Sequence, residues 1–251
     1  MAKELIQKYW FTVPATTGTQ AYQYVFKSDE LYKFLTGIAC PLVTALPSAD
    51  EIKIELRDDF KSILSFSPVQ NWCKNTSSAD FDLTAVFRPV LSQSAGKNYY
   101  LNVRVTNSAA AFTFVALFRQ SNEQPAVSIF GEEVTGYDMQ SFTIKQPALG
   151  SNYNINLPSD YDRVAGVNFV GGDTANIMRL ALDINDSVRE LLDPVPVSIL
   201  AVTENQGYDK TFFPVAFESK NKQVNLRLTQ LDSAAMTYTA TDFTVTFLLT
   251  R

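Results

Sequence analysis

Carboxylates are the side chains of this 251-residue chain whose type and spacing could support catalysis. They form local pairs, namely Asp58-Asp59, Asp80 with Asp82, Asp160 with Asp162, and Asp183 with Asp186. A glycoside hydrolase uses two carboxyl groups several ångströms apart as acid, base or nucleophile. Only Asp80 and Asp82 would share a strand face, and the other pairs lie in or beside predicted turns, where solvated aspartates are common. We therefore predict no catalytic residues and no enzymatic activity.

Other catalytic and metal chemistries lack the side chains they need. The chain has no histidine, which removes Ser-His-Asp and Cys-His arrangements and histidine-ligated zinc. Cys40 and Cys73 cannot complete a four-ligand zinc site, and we expect two reduced, mostly buried thiols. Calcium could find oxygen ligands at Asp173 beside Gly171-Gly172 and along Asp183-Ile184-Asn185-Asp186, but neither segment matches an EF-hand loop. No P-loop and no GxGxxG motif occurs, so we predict no cofactor and no metal site.

Composition excludes several classes of protein. With 46% hydrophobic and 12% aromatic residues the chain has ample material for a core. A net charge of -5 and the absence of any lysine or arginine run argue against direct nucleic-acid binding. Apolar runs such as Ile38 to Cys40 are far too short to span a bilayer. The N-terminal sequence MAKELIQKYW lacks a signal-peptide core, so we expect synthesis in the cytosol.

One six-residue phrase occurs twice. Residues 101–106 read LNVRVT and residues 224–229 read VNLRLT. The identical members are Asn102, Arg104 and Thr106 in the first copy and Asn225, Arg227 and Thr229 in the second. Polar and aliphatic residues alternate with a period of two, which predicts a half-buried β-strand in each copy. The polar positions would form an outward strand face and are candidate contact residues.

Further matches extend the repeat in the same order along the chain. They are Phe11-Thr12-Val13 with Phe142-Thr143-Ile144, Ser28-Asp29 with Ser159-Asp160, Gly37-Ile38 with Gly166-Val167, Ile54-Glu55-Leu56 with Leu180-Ala181-Leu182, Pro68-Val69 with Pro194-Val195, FRPV at 87–90 with FFPV at 212–215, and 113–119 with 244–251. Small changes of spacing between the copies are what loop insertions and deletions produce. Self-similarity of this length predicts a tandem duplication.

Each copy contains eight predicted strands. In the first copy they fall near 9–13, 20–26, 34–43, 51–57, 61–66, 81–88, 98–106 and 110–119. In the second copy they fall near 140–145, 152–157, 163–170, 176–184, 196–203, 209–217, 222–230 and 237–249. Eight antiparallel strands favour a jelly roll, although an immunoglobulin-like tandem stays open. We predict an all-β double jelly roll, with residues 1–119 as the first barrel, 120–140 as a connector and 141–251 as the second barrel.

Two loop segments carry further predictions. The stretch from Ser67 to Asp80 has room for a short helix after the fifth strand, whereas its counterpart from Glu190 to Val195 is shorter and limited by proline. In the connector, Val127 to Phe130 is the apolar segment and is expected to lie against a barrel.

This architecture resembles that of the double jelly-roll major capsid proteins of tailless, membrane-containing icosahedral phages. The residues that carry the resemblance are the paired segments FRPV and FFPV and the two copies of the NxRxT strand. The resemblance covers nearly the whole chain and is one of architecture, without a signature motif. It implies a structural coat subunit whose homotrimers form pseudo-hexagonal tiles of an icosahedral shell in the virion. It also implies partners such as a penton or spike protein, with an inner membrane beneath the shell as an open question.

The N-terminal segment has two alternative interpretations under this resemblance. Ala2 to Trp10, with Leu5, Ile6 and Trp10 apolar, could form an amphipathic helix at the underside of the tile, or could pack on its own barrel. Rival functions also remain open. They are a virion accessory protein such as a vertex, spike or tail component, a tandem carbohydrate-binding module that stacks sugar on aromatic residues such as Trp10 and Trp72, and, less favoured, a glycosidase.

Overall fold

The computed structural model describes residues 4–47, 51–75, 87–201 and 211–251. Most of these residues form β-strands, because apolar and polar side chains alternate along many short segments of the sequence. They fall into two compact units, one reaching Asp138 and the other beginning at Met139. The predicted domain limits of 1–119, 120–140 and 141–251 stay a prediction.

The first unit contains the strands of the first sequence copy and a small hairpin. Its elements are β1(Glu4–Val13), β2(Thr16–Lys27), β3(Phe34–Leu42), β4(Glu51–Asp58), β5(Ser62–Pro68), a 3-10 turn at Val69–Asn71, β6(Cys73–Asn75), β7(Arg88–Gln93), β8(Asn98–Ser108), β9(Phe112–Ser121), β10(Val127–Ile129) and β11(Glu132–Val134). β10 pairs with β11. In the apolar segment of the connector Val127 and Ile129 are buried, whereas Phe130 is exposed.

The strands of the second unit repeat this series. Its elements are β12(Tyr137–Ile144), which begins at the boundary between the units, β13(Asn152–Asn156), β14(Arg163–Gly171), a 3-10 turn at Ile177–Arg179, β15(Leu180–Asn185), β16(Glu190–Pro196), α1(Val197–Leu200), β17(Phe213–Glu218), β18(Gln223–Gln230) and β19(Phe243–Thr250). Among the described residues, no helix has the length and apolar character to cross a membrane.

Both units have the same strand topology. In the first, one sheet has the order β1-β9-β3, with β7 and the short β6 beside β3, and the other has the order β2-β8-β4-β5. In the second, the sheets are β12-β19-β14-β17 and β13-β18-β15-β16. Counted within each copy, the eight repeated strands are ordered 1-8-3-6 and 2-7-4-5 in both cases. The predicted double jelly roll is therefore confirmed, and β6 is an addition to it.

Irregularities of the backbone are duplicated as well. β3 has a register shift between Leu35 and Gly37, and β14 has one between Val164 and Gly166, against the strands on both sides. A bulge needs a specific local conformation, so its recurrence at one position of each copy supports common descent of the two halves. The pairing of Gly37 with Gly166 by sequence is thus correct.

Equivalent side chains also make equivalent contacts. The proline of FRPV, Pro89, is the register partner of Gly37, and the proline of FFPV, Pro214, is the partner of Gly166. In each unit a threonine of the first strand contacts a threonine of the last strand through the two hydroxyl oxygens. The pairs are Thr12 with Thr113 at 3.0 Å and Thr143 with Thr244 at 2.8 Å.

Two of the aligned segments are wrong in register. β8 places Val103 opposite Ile54, and β18 places Leu226 opposite Ile184, so Ile54 corresponds to Ile184 and not to Leu180. Short aliphatic strands match one another at every shift of two residues, which makes their sequence register ambiguous. Pro68 corresponds likewise to Pro196, because each precedes a short helical turn.

The N-terminal helix is a wrong prediction. Glu4–Val13 is a strand paired with β9, so the alternative, a segment packed on its own barrel, describes this part of the chain. In this strand Tyr9, Phe11 and Val13 point towards the core side and Ile6 and Trp10 stay exposed, which is the period of a strand.

Other boundaries differ more locally. The predicted strand 196–203 is wrong, since β16 ends at Pro196 and α1 follows it, so the second copy does have a helix here. The predicted strand 81–88 falls largely on residues 81–86, outside the described part, and the observed strand begins at Arg88. Residues 237–242 precede β19 without joining it.

The two cores are filled differently. In the first unit aromatic rings pack together, with Phe26 stacked on Phe118 at a centroid distance of 3.4 Å and on Tyr99 at 5.0 Å. In the second unit aliphatic side chains predominate around one stacked pair, Phe169 and Phe243, at 4.8 Å. Close packing tolerates such exchange when volume and pattern are kept.

Candidate functional site

Two of the acidic residues singled out in the sequence shape turns. Asp58 is the last residue of β4 and Asp186 directly follows β15, the fourth strand of the second copy. Each accepts backbone N–H groups from the residues two and three positions further on. Both bonds are 2.8 Å long at Asp58, and they are 2.8 and 2.7 Å long at Asp186. These hydrogen bonds lower the pKa of Asp186. A carboxylate whose oxygen holds a turn in this way is a structural group.

The remaining acidic pairs do not form a catalytic arrangement either. Asp59 accepts a hydrogen bond from the Tyr100 hydroxyl at 2.5 Å. Asp160 and Asp162 are exposed, and Asp162 lies 3.9 Å from Lys220 Nζ. Asp80 and Asp82 lie outside the described residues. Within the described ranges, none of the predicted pairs places two free carboxyl groups across a cleft.

Asp173, a candidate calcium ligand, has its carboxylate occupied by N–H donors. It accepts hydrogen bonds from the Asn176 side chain at 2.6 Å and from the backbone of Thr239 at 3.0 Å and Ala175 at 3.2 Å. The Asn176 bond contributes most to the lowered pKa of Asp173. Asp173 therefore closes its loop against residues 237–242. In the described part of the chain, no three His, Cys, Asp or Glu side chains form a group that could hold a metal ion.

The repeated strand phrase has the predicted two faces. Leu101, Val103 and Val105 in the first copy are buried, as are their counterparts Val224, Leu226 and Leu228 in the second. The polar members lie on the outer face of the sheet in both units.

In the first unit this outer face carries a ladder of amide and carboxylate groups. Asn102 accepts a hydrogen bond from Gln23 at 3.0 Å and donates one to Glu55 at 2.7 Å. Arg104 lies over the ring of Phe66, with its guanidinium carbon 4.6 Å from the centroid. Cross-strand pairs of this kind stabilise a sheet, and they leave the face solvated.

In the second unit the equivalent arginine has a charged partner. Arg227 donates from Nε and Nη2 to one oxygen of Asp183, Oδ2, at 2.9 and 2.6 Å. Asp183 is 0% exposed, and its other oxygen, Oδ1, has no hydrogen-bond partner. The hydrogen bond and the charge of Asp183 raise the pKa of Arg227. Position 53 of the first unit, opposite Arg104, is a lysine, so the ion pair is particular to the second copy.

Glu190 and Asp193 join this site, although sequence reasoning missed them. Partial desolvation, a hydrogen bond to Asp193 and the charges of Asp193 and Asp183 raise the pKa of Glu190. Glu190 and Asp193 are three residues apart, and on a regular strand such residues lie on opposite faces. The register shifts between β15 and β16 allow their side chains to meet, and no pattern in the sequence indicates these shifts.

The tryptophans divide into one core residue and one surface residue. Trp72 is buried, and its indole N–H donates to Ser67 Oγ at 2.7 Å. Trp10 is 60% exposed on the outer face of β1, with Lys8 Nζ 5.7 Å from its ring. Ile6, four residues before Trp10 on the same face of β1, is also exposed. Trp72 is therefore not accessible for sugar stacking, whereas Ile6 and Trp10 form an exposed apolar pair.

The structure adds a second kind of exposed apolar residue. Phe60 is 86% exposed and Val188 is 89% exposed, each at the tip of the turn held by Asp58 or Asp186. Cys40 is buried with a free thiol, as predicted. Its Cα is the register partner of the Cα of Cys73 in the parallel pair of β3 and β6.

No protein-family model matches this sequence, and no curated protein sequence matches it. Among solved structures, the chain is similar to one from the atomic structure of Sulfolobus Turreted Icosahedral Virus. The TM-score is 0.50 at 12% identity, over 99% of this chain and 90% of that chain.

Two other structures are similar at lower scores. The major capsid protein P2 from bacteriophage PM2 has a TM-score of 0.42 at 9% identity, over 98% of both chains. PNGase F, a glycosylasparaginase from Flavobacterium meningosepticum, has a TM-score of 0.42 at 8% identity, over 99% of this chain and 96% of that chain. At these identities a likeness concerns the fold. The predicted architectural resemblance is confirmed at that level: this chain has the tandem jelly-roll fold found in an icosahedral virus.

Proposed function

We propose that this chain is a structural subunit of a viral coat. In this proposal three copies form a pseudo-hexagonal homotrimer, and trimers tile an icosahedral shell. The observation that carries the proposal is the repetition of one strand order, 1-8-3-6 and 2-7-4-5, in both halves of the chain. Three chains then supply six barrels of one type, which approximates sixfold packing in closed cyclic symmetry.

The fold shared with a chain of Sulfolobus Turreted Icosahedral Virus supports this role. Three of the acidic residues singled out in the sequence support it as well, since Asp58 and Asp186 hold turns and Asp183 pairs with Arg227. For the tile we assign residues 1–119 to one barrel, 120–140 to the connector and 141–251 to the other. The protein would be made in the host cytoplasm and act in the virion, beside penton or spike proteins, without direct contact to nucleic acid.

The exposed pair of Ile6 and Trp10 is our candidate for contact between copies. Tryptophan is enriched at the centres of protein interfaces, and large exposed apolar residues mark contact sites. β1 is the edge strand of its sheet over ten residues, and a long edge of this kind is normally covered. The polar faces around Asn102 and Asn225 already carry cross-strand hydrogen bonds, which makes them weaker candidates.

The rival functions predict different behaviour in solution. An accessory virion protein would share the fold without forming the trimer that tiles a shell. A carbohydrate-binding module would gain thermal stability from glycans by mass action, but Trp72 is buried and leaves Trp10 as the exposed indole.

The mass of the purified protein by light scattering tests the proposal. We expect a particle of about three times 28.0 kDa that persists on dilution. Electron microscopy of the same sample should show six-lobed particles. A chain that stays monomeric at high concentration would exclude the trimeric tile and favour an accessory or binding role.

A further inference from the structure

We propose that the second unit binds a neutral saccharide on the outer face of the sheet β13-β18-β15-β16. The site is a cavity lined by Asn154, residues 186–188 and residues 221–225, here called the β18 cavity. Its volume of about 480 Å³ lies within the range of small-molecule sites. The inference goes beyond the coat function and does not depend on trimer formation.

Strand register forms the floor of the β18 cavity. Asn225 on β18 is the partner of Asn154 on β13, and its amide nitrogen donates to the Asn154 amide oxygen at 2.9 Å. Gln223, two residues before Asn225 on the same strand, donates to the amide oxygen of Asn156 at 3.0 Å. Residues two apart on a strand share one face. This end of the sheet therefore presents a row of amide groups on its outer face.

Two turns form the walls of the β18 cavity. Asp186 holds the turn after β15 by accepting the backbone N–H groups of Val188 and Arg189, and Val188 lies at the tip of this turn. Lys222 belongs to the turn before β18, and its Nζ lies 3.5 Å from Asp186 Oδ2. This ion pair joins the two turns, so the walls of the cavity are held in place without a ligand.

The charges in the β18 cavity are matched within the protein. Lys222 Nζ lies near Asp186 Oδ2 and also 3.6 Å from Glu218 Oε2. The turn N–H groups and Lys222 lower the pKa of Asp186, so its carboxylate stays ionised at neutral pH. A phosphate would meet two carboxylates beside the lysine, and a cation would meet the lysine beside the carboxylates. The ligand that fits is therefore neutral.

Neutral polar groups remain available to a ligand. Within the described residues, the hydroxyl of Ser187 and the side-chain amide of Asn221 make no hydrogen bond. Nδ2 of Asn154 and Oε1 of Gln223 are likewise unused in this part of the chain. These groups include donors and acceptors, and a sugar hydroxyl can bond to either kind. Val188, which is 89% exposed, adds an apolar surface for the C–H face of a sugar ring.

The first unit has a side chain across the equivalent place. Tyr100 directly precedes the first copy of the repeated phrase, as Gln223 precedes the second. The Tyr100 hydroxyl donates to Asp59, in the turn after β4, at 2.5 Å, so its ring bridges the strand and the turn. Gln223 bonds instead to Asn156 on the opposite neighbouring strand, which leaves the space beside the turn open. The sugar site is therefore assigned to the second unit, at one per chain.

Saturation-transfer NMR of the whole chain with glucose, galactose, mannose and N-acetylglucosamine tests the inference. We expect at least one of these sugars to bind with a Kd of about 10⁻³ M, as for a small polar ring in an open cavity. Gln223→Tyr should weaken binding about tenfold or more, because a ring at this position takes up the space of the ligand. Asn221→Gly should weaken binding about fivefold, since it removes the free amide and tolerates the positive φ of 55°.

The matched control is Gln23→Tyr, the same exchange on the outer face of the first unit, and it should bind sugar like the unchanged protein. Melting temperatures without sugar, expected to be alike, show whether each variant is folded.

Three outcomes would overturn the inference. They are the absence of binding of all these sugars at about 20 mM, binding that Gln223→Tyr does not weaken, and an equal loss of binding in Gln23→Tyr. Loss of binding in Trp10→Ser, with binding kept in Gln223→Tyr, would place the sugar on the exposed indole of β1 and equally exclude the β18 cavity.

Discussion

The two jelly rolls of this chain keep the same backbone and differ on their outer surfaces. Both have the same strand order, the same bulge in the third strand and the same aspartate-held turn after the fourth strand. On the outer face of the first strand, however, Trp10 is exposed in one unit, whereas its counterpart Ser141 contacts the Thr246 hydroxyl at 2.9 Å in the other. The central position of the fourth strand is Lys53 in one unit and Asp183 in the other.

This contrast indicates which features a duplicated fold must retain. Turns, bulges and inward alternation determine whether the sheets form at all, so their loss costs stability in either half. Outer faces are free to diverge, and divergence allows two similar barrels to contact different neighbours. Residues that differ between equivalent positions are therefore better candidates for function than residues that are repeated.

The largest effect is expected from the exposed apolar pair of the first unit. Trp10→Ser should weaken the trimer about thirtyfold or more, since a buried interface tryptophan commonly contributes about 2 kcal/mol. Val25→Ser is the matched control, because Val25 is also exposed but lies on the outer face of the other sheet. Mass photometry over a dilution series measures both. Equal dissociation of the two variants would remove β1 as the contact strand.

A smaller effect is expected from the equivalent turns. Asp58→Ala and Asp186→Ala should lower the melting temperature by similar amounts, because each leaves two turn N–H groups without their acceptor. Asp160→Ala, in an exposed loop, should change it little. Scanning calorimetry of the three variants makes the comparison. Clearly unequal losses at Asp58 and Asp186 would show that the two turns are not energetically equivalent.

The smallest effect is a difference in acid sensitivity. Among the described residues, the carboxyl groups with a lowered pKa lie in the second unit, namely Asp173, Asp186, Asp232 and Asp242. Arg179 and Gln230 lower the pKa of Asp232 from 3.8 to about 2. A depressed pKa in the folded state gives stability that is present above the unfolded value and lost as the pH falls through the folded value.

Between pH 4 and 2 the second unit should therefore lose protection before the first. Hydrogen exchange measured by mass spectrometry at both pH values would resolve peptides of the two units. Peptides of β15 and β18 should lose protection at the lower pH, measured against the intrinsic exchange rate at each pH, while those of β4 and β8 change less. The reverse order would contradict the assignment of the acid-sensitive contacts.

Much of the fold could be predicted because the duplicated phrases alternate with a clear period. FRPV and FFPV identified equivalent strands correctly, and their prolines do face equivalent glycines. The N-terminal segment was ambiguous because Leu5, Ile6 and Trp10 fit a helical face, while pairing with β9 favours a strand. The sequence alignment of β4 with its counterpart β15 was also ambiguous, since aliphatic strands look alike after a shift of two residues.

The sequence by itself determined that the chain is all-β and duplicated, and that it lacks histidine-based chemistry. Local alternation, turn residues and composition contain that information. Only the tertiary structure decided that Asp183 pairs with Arg227 across β15 and β18, that Trp72 is buried and that Trp10 is exposed. Register shifts and strand order set these relations, and they arise from packing between segments distant in the chain, which no local pattern records.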